Sequence, residues 1–173
     1  MSQKHTYTIS IYTENSVGVL NRITGVFQRR HINIESVNVS KSEIKSVSRI
    51  TLLVRITEDQ MKKIIGQLEK QVDVIKAYYH TDDKTIYQES CLFKLSTDLL
   101  IDNDEIQRII NDSKSRVINI NKDFFVLEKS GKKEEVEELY HILDKYGIKQ
   151  FVRSGRIAIT RDEMRVSEML KED

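Results

Sequence analysis

From Tyr7 to Glu14 the apolar residues Tyr7, Ile9 and Ile11 alternate with Thr8, Ser10 and Thr13, the period of two that marks a half-buried strand. The loop Glu14-Asn15-Ser16 interrupts this pattern. Beyond it Val17, Leu20, Ile23 and Phe27 recur at intervals of three and four, with Val19 and Val26 widening the stripe, so a helix of about three to four turns is expected to reach roughly Arg30. Ile32 and Ile34, then Val37 and Val39, form a second strand whose phase slips near Ser36, as a bulge would cause. Lys41 to Ser46 turns the chain into a third strand with clean alternation, Ile50, Leu52, Val54 and Ile56. Thr57 and Gln60 match the capping box ahead of Met61, Ile64, Ile65 and Leu68, which places a second helix from about Glu58. Val72, Val74, Ala77 and Tyr79 then predict a fourth strand.

The order strand, helix, strand, strand, helix, strand is the split βαβ, ferredoxin-like arrangement, with two helices on one face of a four-stranded antiparallel sheet. Polar Thr81, Asp82, Asp83 and Lys84 break the pattern, and a second set of elements follows. Tyr87 to Leu95 reads as a strand, and Asp102 with Glu105 as a capping pair before Ile106, Ile109 and Ile110. Strands at Arg116 to Ile120 and Phe124 to Leu127 flank a turn at Asn121 to Asp123. Ser130 is expected to cap a helix carrying Val136, Leu139, Tyr140 and Leu143, and Gly147 stands where a left-handed residue ends it. Ile148 to Ile159 returns to strand with a turn near Ser154 and Gly155. The fold class is therefore α+β: a ferredoxin-like βαββαβ domain over residues 1–81, then a second small α+β domain of similar element order over 82–163. A charged tail, a frayed helix or disorder, fills 164–173.

Composition narrows the function. The chain has 173 residues, 39% apolar and 32% charged, enough to bury a core. Lys and Arg total 28 against 27 for Asp and Glu, so no broad basic field is present for a phosphate backbone and nucleic acid is not an expected partner. One cysteine, Cys91, excludes an internal disulfide framework, and four scattered histidines leave no metal-ligand spacing. The start MSQKHTYTIS lacks an apolar targeting core, and 18 consecutive apolar residues occur nowhere, so neither secretion nor a membrane span is expected and the cytoplasm is the natural compartment. Catalytic constellations are also missing: no glycine-rich phosphate loop, and Cys91 stands inside a strand pattern, as a buried structural thiol does.

Two segments carry candidate binding chemistry. Asn15-Ser16-Val17-Gly18 lies where the first strand passes into the first helix; unpaired amides and the positive dipole end there suit a carboxylate, and Gly18 lets a ligand approach the backbone. The same residues equally suit a plain N-cap. The second segment is Arg30-His31-Ile32-Asn33-Ile34-Glu35-Ser36, in which Asn33 alternates with Ile32 and Ile34 and offers an amide that both donates and accepts. An ordinary solvated strand residue reads the same way.

The run from Glu14 to Phe27, ENSVGVLNRITGVF, followed by Asn33-Ile34-Glu35-Ser36, Ser48-Arg49-Ile50-Thr51 and Gln67 to Val74, resembles the amino-terminal ACT domain of the small regulatory subunits of acetohydroxyacid (acetolactate) synthase. Glu89 to Leu95 and Val152 to Arg161 resemble the start and end of that family's carboxy-terminal domain. The resemblance implies a non-catalytic regulatory subunit that forms a homodimer. It activates a large catalytic subunit and confers feedback inhibition by valine or another branched-chain amino acid. It sets Asn15 and Gly18 against the effector's carboxylate and amino groups and brings Asn33 from the neighbouring protomer; Ser16 and Val17 complete the candidate loop, and Ile11, Val19, Leu20 and Ile34, by their place near it, are candidate walls for an aliphatic side chain. It implies no cofactor in this chain; thiamine diphosphate, Mg2+ and FAD belong to the catalytic subunit. Departures are His31, where the family has glycine, the stretch Ser96 to Lys114, and a tail extended through Met164 to Asp173. The alternatives are a stand-alone ACT sensor acting on another enzyme or a transcription factor, and an enzyme that uses the sheet as a platform.

Overall fold

The computed structural model describes residues 3–101 and 104–169. Compactness divides the chain into two units, the first built from residues up to Tyr87 together with those from Arg156 on, the second from Gln88–Gly155. The segment from Arg156 thus returns to the first unit, a division by packing that differs from the boundary suggested by polar residues 81–84.

In the first unit β1 (His5–Glu14), α1 (Val19–Gln28), β2 (Ile34–Lys41), β3 (Val47–Ile56), α2 (Glu58–Leu68) and β4 (Val74–Thr81) follow in the expected order. The sheet order is β2-β3-β1-β4, every neighbour antiparallel. Tyr7, Ile9, Ile11, Ile50, Leu52 and Val54 meet Ile23, Val26, Phe27, Met61, Ile64 and Leu68 in one core, because the period of two in the strands and of three to four in the helices point these side chains to the shared layer. The capping box of α2 forms as read: Gln60 N–H donates to Thr57 Oγ1 at 3.3 Å and Thr57 N–H to Gln60 Oε1 at 3.1 Å. The phase slip in β2 is a bulge, since the register jumps from Ile34 opposite Val54 to Ser36 opposite Leu53 and leaves Glu35 over.

β1 departs from the expectation of a half-buried strand. Thr8, Ser10, Thr13 and Tyr12 are buried as well as the core-facing set. Part of the cover comes from afar: Arg156 Nη1 donates to Thr8 Oγ1 at 2.9 Å, and Arg49 Nη2 donates both to Ser10 Oγ at 3.1 Å and to the Ala158 carbonyl. Hydroxyls rather than methyls on this face accept those bonds, which is why an alternating sequence can be buried on both sides.

The second unit repeats the topology. β5 (Thr85–Leu95), α3 (Asp98–Ile101), α4 (Asp104–Asp112), β6 (Arg116–Ile120), β7 (Phe125–Gly131), α5 (Lys133–Asp144) and β8 (Gln150–Arg153) give the order β6-β7-β5-β8, with β5 in the place of β1. Its core holds Cys91, Phe93, Ile106, Phe125, Leu127, Val136 and Leu143. The turn at Asn121 forms, Asn121 Oδ1 accepting from Asp123 N–H at 2.9 Å and Phe124 N–H at 3.0 Å, and Gly147 has φ 77. Ser130 does not cap α5. It lies in β7, where its hydroxyl donates to Glu128 at 2.6 Å, and α5 begins from Lys132, whose N–H donates to Glu135 Oε2 at 2.6 Å. Asp102 of the expected capping pair is outside the described residues. The stretch Ile148 to Ile159 becomes two strands, β8 and β9 (Ile157–Thr160), both pairing with β5, and a short α6 (Val166–Met169) follows. Among the described residues no helix is long and apolar enough to cross a membrane, and no group of three or more His, Cys, Asp or Glu side chains is placed to hold a metal ion.

Candidate functional site

The loop between β1 and α1 is held from both sides by backbone hydrogen bonds. Glu14 N–H donates to Asp73 O at 2.9 Å and Asn15 N–H to Ser46 O at 3.1 Å. Gly18 takes φ 83 and is itself the N-cap of α1, and neither Asn15 nor Ser16 supplies a side-chain cap. That geometry is the left-handed one that glycine adopts without strain, so Gly18 is required by the turn itself. No acidic side chain occupies the first turn of α1, which leaves its positive end to other anions.

Ser16 Oγ instead donates to Asp73 Oδ1 at 2.7 Å, and Arg22 Nε donates to Asp73 Oδ2 at 2.6 Å. These bonds, Ser16 first and Arg22 second, hold the Asp73 carboxyl below the usual aspartate range. Arg22 Nη1 lies 3.2 Å from where a Cβ on Gly18 would stand, so the guanidinium overhangs the loop backbone. Val17 is 99% exposed and Leu20 40%, whereas Val19 and Ile34 lie at the margin of the core and Ile11 is wholly inside it. Ile11 therefore presents no surface to a ligand. Beside Asn15 a cavity of about 410 Å³ opens against the turn at residues 41–47.

Asn33 is exposed just before β2, and His31 takes φ 52, left-handed as a residue in a glycine position must be. The sheet register locates this segment: Ile34 lies opposite Val54, which lies opposite Tyr7, while Lys41 lies opposite Ser48, which lies opposite Thr13. The loop Asn15–Gly18 follows Thr13, so within one chain Asn33 and Ile34 stand at the far end of the sheet from it, roughly 20 Å along the strands and two strands over. One chain brings together Asn15, Ser16, Val17, Gly18, Val19 and Leu20 and leaves Asn33 and Ile34 apart. The contacts of Arg22 and Asp73 with this loop are not legible in the sequence: Arg22 is one helical turn beyond Gly18, a spacing that carries a weak signal, and Asp73 is reached only through the tertiary fold.

Residues 9–76 match the model of the AHAS small subunit-like ACT domain, and residues 88–162 that of the small subunit of acetolactate synthase. The acetolactate synthase small subunit of Bacillus subtilis is 36% identical over 154 residues, 88% of this chain and 89% of that protein. That of Mycolicibacterium smegmatis is 31% identical over 90% of this chain and 91% of its own. Among solved structures, the acetolactate synthase small subunit of Thermotoga maritima superposes with a TM-score of 0.83 at 24% identity, covering 92% of this chain and 99% of that one, a likeness of fold. The chain belongs to the family of acetolactate synthase small subunits, with an amino-terminal ACT domain.

Proposed function

We propose that this chain is the regulatory subunit of a cytoplasmic acetolactate synthase, a homodimer that binds valine or a related branched-chain amino acid and sets the activity of the large catalytic subunit. The thiamine diphosphate, Mg2+ and FAD chemistry belongs to that large subunit. The observation that carries the reading is the separation of Asn33 and Ile34 from the loop Asn15–Gly18 within one chain. β2 is an edge strand, and Val37 and Val39 on it are 39% and 47% exposed although they pair with fully buried Leu52 and Ile50. A second copy pairing antiparallel along this edge sets the Ile34 end of one strand against the Lys41 end of the other, the end from which the β1–α1 loop emerges. The edge is thereby covered and the two half-sites meet.

In that site the effector carboxylate lies at the amino end of α1 over Gly18, near Arg22, and its amino group lies near the side-chain oxygens of Asn15 and Asn33. Leu20 and Ile34 flank the aliphatic group. Differential binding of the effector to two arrangements of the dimer then biases the catalytic subunit, with a coupling of about 1–3 kcal/mol. Calorimetric titration with valine, leucine and isoleucine, run beside light scattering on the wild type and Val39→Lys, tests the proposal. Binding is expected in the wild-type dimer and is expected to vanish in a monomeric variant; undiminished binding by the monomer would refute a shared site.

A further inference from the structure

A buried arginine stands on the face of the first sheet opposite its helices. Arg156 is 5% exposed. Its Nη1 donates to Thr8 Oγ1 at 2.9 Å and to Asp82 Oδ1 at 2.6 Å, its guanidinium carbon lies 3.7 Å over the Tyr87 ring, and its backbone N–H donates to Ser36 Oγ at 2.8 Å. Ser36 and Thr8 share one row of the sheet, since each lies opposite Leu53 of β3. Arg156 therefore spans from the edge strand to the central strand across Leu53. A buried cation is costly unless it is paired, and Asp82 and Thr8 satisfy one end of this guanidinium while its Nε has no acceptor among the described residues.

The Ser36 end of this brace sits at the bulge of β2. The bulge leaves Glu35 unpaired between Ile34 and Ser36, and its loss would slip the register before it by one residue and so invert every side chain on that side. Asn33 and Ile34 lie on that side. Resting on the effector-site reading above, we infer that Arg156 is a positioning residue for effector binding: by fixing Ser36 to β1 it holds the bulge at Glu35 and so sets the direction in which Asn33 points, without touching the ligand.

The test uses the full-length chain and valine as the probe. Ser36→Ala removes the acceptor at the bulge, Ser36→Thr keeps it, Arg156→Met removes the guanidinium anchors, and Asn33→Ala serves as the direct-contact control. Ser36→Ala and Arg156→Met are each expected to weaken valine binding roughly three- to tenfold, the worth of one hydrogen bond, with the double variant no weaker than the worse single one. Ser36→Thr is expected to restore affinity at whatever melting temperature it shows, a rescue that a general loss of stability would not give. If Arg156→Met does not fold, the Ser36 pair decides. Wild-type affinity in Ser36→Ala, with binding lost in Asn33→Ala, overturns the positioning role alone. Failure of the wild type to bind valine, or Asn33→Ala binding as the wild type does, overturns the effector-site reading and the positioning role with it.

Discussion

Arg22 Nε and Asp73 Oδ2 meet at 2.6 Å across 51 residues of sequence, and the other Asp73 oxygen takes the Ser16 hydroxyl at 2.7 Å. One carboxylate thus fastens the loop before α1, the first turn of α1 and the turn before β4. Because the folded carboxyl titrates below its ordinary range, its contribution is complete above the unfolded pKa, about 3.9, and is lost as pH falls through the folded value. Arg22 is nearly half exposed, so the effect is small and sensitive to salt. The melting-temperature gap between wild type and Asp73→Asn is expected to be full at neutral pH and to close below roughly pH 4. A gap that stays constant down to pH 3 would contradict the ion-pair account.

Gly18 combines a left-handed backbone with open space above it apart from the Arg22 guanidinium, the movable end of a long side chain. Gly18→Ala is therefore expected to cost about 1–2 kcal/mol from backbone strain. Gly18→Asp places a carboxylate where the effector carboxylate is proposed to lie. Activation of the catalytic subunit should persist while feedback is lost. The assay is large-subunit activity against valine concentration, and inhibition equal to that of the wild type would place the effector elsewhere.

Thr57 and Gln60 close the amino end of α2 by exchanging hydrogen bonds. Thr57→Ala is expected to lower stability by about 1 kcal/mol, visible in urea denaturation as a lower midpoint with an unchanged slope. Ser130→Ala should leave α5 intact, since its hydroxyl serves Glu128. Equal losses in the two variants would show that the caps had been assigned wrongly.

Cys91 is 1% exposed, its thiol 3.2 Å from the Lys129 carbonyl, and burial pushes its pKa up to about 11. The thiolate, the reactive form, is therefore scarce at neutral pH as well as inaccessible. A thiol reagent such as DTNB should modify it only at the rate of unfolding and stoichiometrically in denaturant. Rapid labelling of the native protein would mean that β5 is not the central strand described.

Much of this architecture is written in local patterns. The alternation in β1 and β3, the helical stripes of α1, α2 and α5, the capping box at Thr57 and the left-handed Gly147 all depend on residues close to one another in the chain. Elements of that kind are determined by neighbours in the chain, and the repeated order of elements carried the ferredoxin-like topology of both halves with it. The run from Asn15 to Leu20 marked the passage from strand to helix, but the same residues equally suit a plain N-cap, so their spacing alone did not make the loop a candidate site.

What the chain alone did not decide depends on separations that no spacing encodes. Asp73 reaches Ser16 and Arg22 only after four strands have set their order, and the burial of Thr8 and Ser10 depends on Arg156 and Ala158, almost 150 residues away, returning to the first unit. The same holds for Ser130: its type suits a cap, and only the register of β7 turns its hydroxyl to Glu128. Sequence determined which segments bury an apolar face; the fold decided which polar groups find partners, because a hydrogen bond needs atoms within about 3 Å and that distance is set by tertiary packing.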